Sequence, residues 1–164
     1  MHGLGLVLDF EGSSILGFRE VGFIIIQDFE LVDAGELKAV EDKNNDKFIS
    51  ILDKDYEFFV SHQSNVEKNF LHRKYPFSQN SDTGTWGPWL DTKIIYQKLY
   101  PNLEKFDLKF LVKTFIEQSK LDTLTSKYCA KNKIDYHNAL FDSICCYLLA
   151  RRLIKDINLY QFLS

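Results

Sequence analysis

The chain has 164 residues, with 20 Lys plus Arg against 23 Asp plus Glu and a formal net charge of −3. Hydrophobic residues make up 45% and charged residues 26%, the balance of one globular domain, which excludes a disordered tail, a collagen-like repeat and a polybasic arm. No run of about eighteen apolar residues offers a membrane span, and the opening MHGLGLVLDFEG lacks the basic region of a signal peptide. Any attraction to nucleic acid must therefore come from local basic groups or bound metal ions.

The expected elements follow in chain order. Residues 4–8 form a short apolar run ending at Asp9, suited to a strand buried on both faces. Residues 21–27 (VGFIIIQ) predict a stronger, β-branched strand, Asp28-Phe29-Glu30 a turn, and 31–34 a short returning strand. These connections are too short for helical crossovers, so the opening third reads as an antiparallel meander. In the charged stretch 36–54, Phe48, Ile51 and Leu52 have helical spacing, and Asn44-Asn45-Asp46 is expected to break it. Residues 57–61 predict a fourth strand and 65–73 a helix with Val66, Phe70 and Leu71 inward. The segment 75–88 is rich in Ser, Asn, Asp, Thr, Gly and Pro and predicts a loop; 89–91 predicts a brief fifth strand. Helices are expected over 92–99, 107–118, 122–131 and 139–154, the last burying Leu140, Ile144, Tyr147, Leu148 and Ile154. Strands first, then strands alternating with helices, give an α/β chain with helices packed on a mixed sheet. The three cysteines, Cys129, Cys145 and Cys146, include an adjacent pair and no CxxC, so they read as free thiols in a reducing cytoplasm.

Two constellations carry chemistry. Asp9 and Glu11 flank Phe10 at the end of the first strand, and period-two alternation points both carboxylates to one face. Side by side they repel, and a partly buried pair needs a cation or a shared proton; a solvated acidic strand end is the other reading. His137 and Asp142 stand five residues apart, about 140° around a regular helix. They can face one site only if His137 lies before the helix and Asp142 in its early turns; the alternative is an exposed histidine and an Asp favoured by the helix macrodipole.

LVLDFEG (6–12), HQSNVEKNFL (62–71) and HNALFD (137–142) resemble the three motifs of the DEDD-type 3′–5′ exonucleases. The resemblance is to the histidine-bearing branch, which includes polymerase III epsilon proofreading subunits, ribonuclease T and oligoribonuclease, and it covers almost the whole chain. Asp9-Phe10-Glu11 matches the first motif, although Gly12-Ser13-Ser14 stands where the family has Thr-Thr-Gly. Glu20-Val21-Gly22-Phe23 is similar to the family's following Glu-Ile-Gly strand, and His137, Ala139 and Asp142 match the third motif. Asp91-Thr92 and the Leu-rich segment from Asp107 resemble the helices between them. The middle motif departs from the pattern: Glu67 stands where the family has Asp. One added methylene leaves three readings: Glu67 does the work of the Asp, the site binds metal with impaired catalysis, or Glu67 is an exposed helix charge.

The resemblance implies a ribonuclease H-like fold over 1–164, a five-stranded mixed sheet made of a three-stranded antiparallel meander plus two further strands, flanked by helices. It implies hydrolysis of phosphodiester bonds at 3′ ends of single-stranded DNA or RNA, releasing nucleoside 5′-monophosphates. Two divalent ions, Mg²⁺ or Mn²⁺, would be held by Asp9, Glu11, Asp142 and Glu67, with His137 as general base. Phe10, Gly12, Ser13, Ser14, His62, Trp86 and Trp89 are candidates for holding the strand, the tryptophans by stacking or as packing residues. Arg73, Lys74, Lys127, Lys131 and Lys133 are candidate phosphate contacts or a solvated charged face. The alternative is a catalytically impaired nucleic-acid-binding or polymerase-associated domain on the same scaffold. A monomer or homodimer, at most loosely associated with a polymerase, is expected.

Overall fold

Alternation of apolar side chains organises the first strands. In the computed structural model, which describes residues 1–13, 17–38, 42–76 and 85–164, strand β1 (Leu4–Ser13) sends Leu6 and Leu8 to one face of the sheet and Val7 to the other. Strand β2 (Gly17–Gln27) pairs with it antiparallel, and the ladder slips between Glu11 and Gly12. Asp28 and Phe29 take positive φ, 53° and 61°, as a two-residue hairpin turn with the native strand twist requires. Strand β3 (Glu30–Lys38) returns along β2. Helix α1 (Asp42–Leu52) leads to β4 (Phe58–Ser61), parallel to β1. Helix α2 (Asn65–Lys74) precedes β5 (Trp89–Asp91), parallel to β4. The sheet order is β3-β2-β1-β4-β5, the mixed five-stranded α/β architecture expected from the sequence. Helices α3 (Thr92–Leu99), α4 (Leu108–Phe115), α5 (Gln118–Tyr128) and α6 (Ala139–Leu153) follow, with α6 laid across β1, β2 and β4.

Several elements depart from the sequence reading, each for a packing reason. Strands β1 to β3 run further than their apolar stretches because long antiparallel ladders carry the polar residues along. Helix α1 passes through Asn44-Asn45-Asp46 unbroken, since burying Phe48, Ile51 and Leu52 outweighs weak local propensity. In α2, Val66 is 50% exposed and Glu67 and Leu71 turn inward. The expected 107–118 helix ends at Phe115, where Ile116 and Glu117 take extended backbone, and α5 starts earlier than expected. Residues 77–84 of the expected 75–88 loop lie outside the described residues.

Helix α6 is apolar nearly all round: every residue but Arg151 and Arg152 is buried, and Ile154 lies just past its end, half-buried. Such a helix belongs to the core rather than to an amphipathic surface. Arg151 pairs with Glu30 at 2.6 Å, and the Arg152 guanidinium lies 4.7 Å over the Phe115 ring. Cys145 and Cys146 are buried free thiols in this helix, and Cys129 is half-buried. Among the described residues, no helix is long and apolar enough to cross a membrane.

One glycine fixes where α6 begins. A Cβ built on Gly22 would lie 2.2 Å from both the carbonyl carbon and the oxygen of Ala139, closer than real atoms approach. Gly22 stands opposite Asp9 in the β1–β2 ladder, so the missing side chain lets the first turn of α6 settle directly above Asp9. Gly22→Ala should cost about 1–3 kcal/mol through overpacking. Urea unfolding measures this, and a loss below about 0.5 kcal/mol would show that α6 gives way freely there.

Candidate metal centre

The alternation of β1 places Asp9 and Glu11 on the α6 side, while the Phe10 ring packs on the other with Phe70 at 4.4 Å and Phe48 at 5.8 Å between centroids. His137 precedes α6 in a left-handed backbone conformation, φ 67°, and its N–H donates to Asp142 Oδ2 at 2.9 Å. The condition set by the helical angle is thus met: the histidine stands before the helix and the aspartate in its first turn. His137 Nδ1 lies 4.0 Å from Glu11 Oε1, and one donor atom each from Glu11, His137 and Asp142 lies within 4.8 Å of the other two. Asp142 is buried at the floor, whereas the His137 side chain is 91% exposed at the rim.

Asp9, partly buried, and Glu67, fully buried, complete the acidic set. Glu67, in the first turn of α2, is 3% exposed, so the reading of it as an exposed helix charge fails. Its helix is set by Asp91, whose carboxylate accepts backbone N–H bonds from Gln63, Ser64, Lys93 and Ile94 at 2.7–3.3 Å. Asp91 thereby caps α3 and ties the start of α2 to it. Among the described residues, Asp9 Oδ2, Glu67 Oε2 and Asp142 Oδ1 are each buried without a hydrogen-bond partner.

The electrostatics match this crowding. Burial holds the Asp9 carboxyl well above the usual carboxylate range, and the charges of Asp142, Glu67 and Glu11 push the same way. Burial raises Asp142 to about 7, helped by Glu11 and opposed by the His137 N–H. Burial raises Glu67 to about 8 against the pull of its own and the Phe10 backbone N–H and the Ser61 hydroxyl. Converging carboxylates with unused lone pairs have the chemistry of a site for a hard divalent cation, so the donor set fits such an ion.

Other expected site residues fall elsewhere. Trp89 is fully buried against Phe59, and its Nε1 donates to the Trp86 carbonyl at 2.6 Å. Trp86 is buried too, donating to the Tyr75 carbonyl, so both tryptophans pack the core and neither offers a face to a base. Both ring nitrogens of His62 are engaged, Nδ1 with Thr92 Oγ1 at 2.9 Å and Nε2 with the Phe106 carbonyl at 3.0 Å. His62, a candidate for holding the strand, thus spends both ring nitrogens on contacts within the protein. Gly12 lies exposed just past the ladder slip with φ 153°, Ser13 ends β1, and Ser14 lies outside the described residues. Lys133 is taken up by Glu20 and Glu36 rather than presented to phosphates. Glu20 is the residue whose importance sequence reasoning missed. Its signal was there: a charged side chain at an inward position of a strand needs a partner.

Among solved structures, the chain is similar to exonuclease X in complex with 5′ overhanging duplex DNA, with a TM-score of 0.62 and 16% identity over 96% of each chain. No protein-family profile matches the chain, and no curated protein is recognisably similar in sequence. The likeness is therefore one of fold, and the mixed sheet with its flanking helices is that of the exonuclease.

Carboxyls raised by folding bind protons in the native state that the unfolded chain has already released. With unfolded values near 4, stability falls as pH rises through the window up to the folded values of about 7 and 8 for Asp142 and Glu67. In chelator, the thermal midpoint should drop between pH 5 and pH 8.5, and Mn²⁺ should recover more of it at pH 8 than at pH 5.5. A midpoint that rises steadily across that range would contradict the buried carboxyl cluster.

Proposed function

We propose that the chain is a metal-dependent 3′–5′ exonuclease that hydrolyses phosphodiester bonds at the ends of single-stranded DNA or RNA. The observation that carries this reading is the grouping of Glu11, His137 and Asp142 donor atoms within 4.8 Å, with the Asp9 carboxyl feeling the charges of Asp142, Glu67 and Glu11 and, among the described residues, oxygens of Asp9, Glu67 and Asp142 buried and unsatisfied. The fold shared with exonuclease X supports it.

Asp9, Glu11 and Asp142, with Glu67, are the residues that would hold two divalent ions. When bound, such ions supply Lewis-acid stabilisation of charge on phosphate oxygens and lower the pKa of water. The protein's own groups do the rest. His137, exposed at the rim, takes the proton of the attacking water at an imidazole nitrogen, as a general base does. The His137 N–H holds one oxygen of Asp142, leaving Oδ1 for the ion. The backbone of Phe10 and Gly12 forms the bed for the terminal nucleotide, and the Phe10 ring anchors that strand end from the opposite face against Phe48 and Phe70. Glu67, buried beside β1, takes the place of the shorter aspartate of the resembled motif. Attack of water at the terminal phosphodiester, with the 3′ oxygen of the penultimate nucleotide leaving, releases a nucleoside 5′-monophosphate.

Oligonucleotides labelled at the 5′ end test this directly. With Mn²⁺ or Mg²⁺ the wild-type protein should shorten single-stranded DNA or RNA stepwise from the 3′ end. His137→Ala should lower the rate by about 10²–10⁴, and Asp9→Asn should abolish cleavage. The Glu67 side chain makes strand binding without turnover the specific rival. Strands bound but left intact by the wild-type protein with either ion, and cleaved by Glu67→Asp, would replace the nuclease reading with that of an impaired binding domain.

A further inference from the structure

We propose that Glu20 and Lys133 are positioning residues: together they clamp both ends of the segment that carries His137 and so set the imidazole over Glu11 and Asp142. This rests on the nuclease reading above. The segment 133–139 leaves the sheet side, passes through His137 and enters α6. At its near end the Lys133 ammonium meets Glu20 Oε2 at 2.5 Å and also bonds Glu36 Oε1. At its far end Glu20 Oε1 accepts the Ala139 N–H at 3.2 Å. One carboxylate on β2 therefore grips both ends of the loop.

The clamp is buried where the loop is not. Glu20 is 4% exposed, and the side chains of Lys133 and Glu36 are about one-fifth exposed. His137, by contrast, has no packing to fix its ring and stands in a left-handed conformation that a non-glycine residue keeps only when its surroundings impose it. Asn138 ties back to the Asp135 carbonyl, and the Tyr136 ring sits edge-on to Phe141, which stiffens the loop but does not attach it to the strand bearing the carboxylates. That attachment runs through Glu20, two residues from Gly22 and opposite Glu11 in the ladder. A displacement of the imidazole by about 1 Å is enough to cost roughly 10²-fold in rate.

The experiment is a double-mutant cycle in steady-state cleavage of an oligonucleotide. Lys133→Met and Glu20→Gln should each lower kcat about 10- to 100-fold with KM and Mn²⁺ affinity within about twofold, and Lys133→Arg should restore most of kcat. In a His137→Ala background, Lys133→Met should cost little more, because the group being positioned is gone. A loss of kcat that is the same with and without His137 would assign the clamp to general stability and overturn the proposal. Amide hydrogen exchange supplies a readout independent of turnover. In Lys133→Met, exchange at His137 and Ala139 should quicken at least tenfold while the later turns of α6 stay protected; unchanged exchange there overturns the clamp. Wild-type protein that cleaves nothing, yet shows the exchange difference, sinks the nuclease reading and leaves the clamp standing.

Discussion

Negative charge without an internal counter-charge is the constraint around which this fold is arranged. At the end of β1, oxygens of Asp9, Glu67 and Asp142 are buried without a partner, and Glu11 closes the same space. The nearby cations do not resolve this. Among the described residues, Lys133 serves Glu20 and Glu36, and the Arg19 guanidinium meets Glu11 at 3.8 Å from a largely exposed position. Burial weakens the solvation of these groups and, with their mutual repulsion, raises the carboxyl pKa values, so without a bound cation the cluster favours holding protons. A buried cluster of this kind lowers stability at neutral pH, a cost a protein retains where function uses the strain.

The surrounding structure supports that arrangement with unusually specific backbone features. Gly22 removes the atoms that would hold α6 away from β2, and Glu20 accepts the first N–H of that helix. The left-handed residue His137 turns the chain so that its own N–H reaches Asp142. On the other side, Asp91 gathers four backbone N–H groups and aims the first turn of α2, with Glu67, at the end of β1. Three separated stretches of chain are thus fixed against one another by short polar contacts, while α6 supplies the apolar mass that buries them.

Much of this was legible in the sequence, for reasons that differ by residue. Period-two alternation is local, so the shared face of Asp9 and Glu11 follows from β1 alone. The relation of His137 to Asp142 follows from helical angle once the helix start is placed. Glu67 was found by its offset from His62, but its burial depends on Asp91, twenty-four residues later, which no local pattern encodes. For the tryptophans the sequence left stacking and packing both open, because composition marks a loop without revealing that Trp86 and Trp89 at its far end fold back onto Phe59. The Glu20–Lys133 pair spans more than a hundred residues, and only the path of α6 brings its halves together.

The central claim is that the buried carboxyls at the end of β1 release their protons to accept hard cations. Calorimetric titration of the chelated protein with Mn²⁺ near pH 7, repeated in two buffers of different ionisation enthalpy, measures it. The account predicts saturable binding with net release of at least about one proton per protein, since Asp142 and Glu67 titrate near 7 and 8. Absence of saturable heat, or binding with identical enthalpy in both buffers, would contradict it.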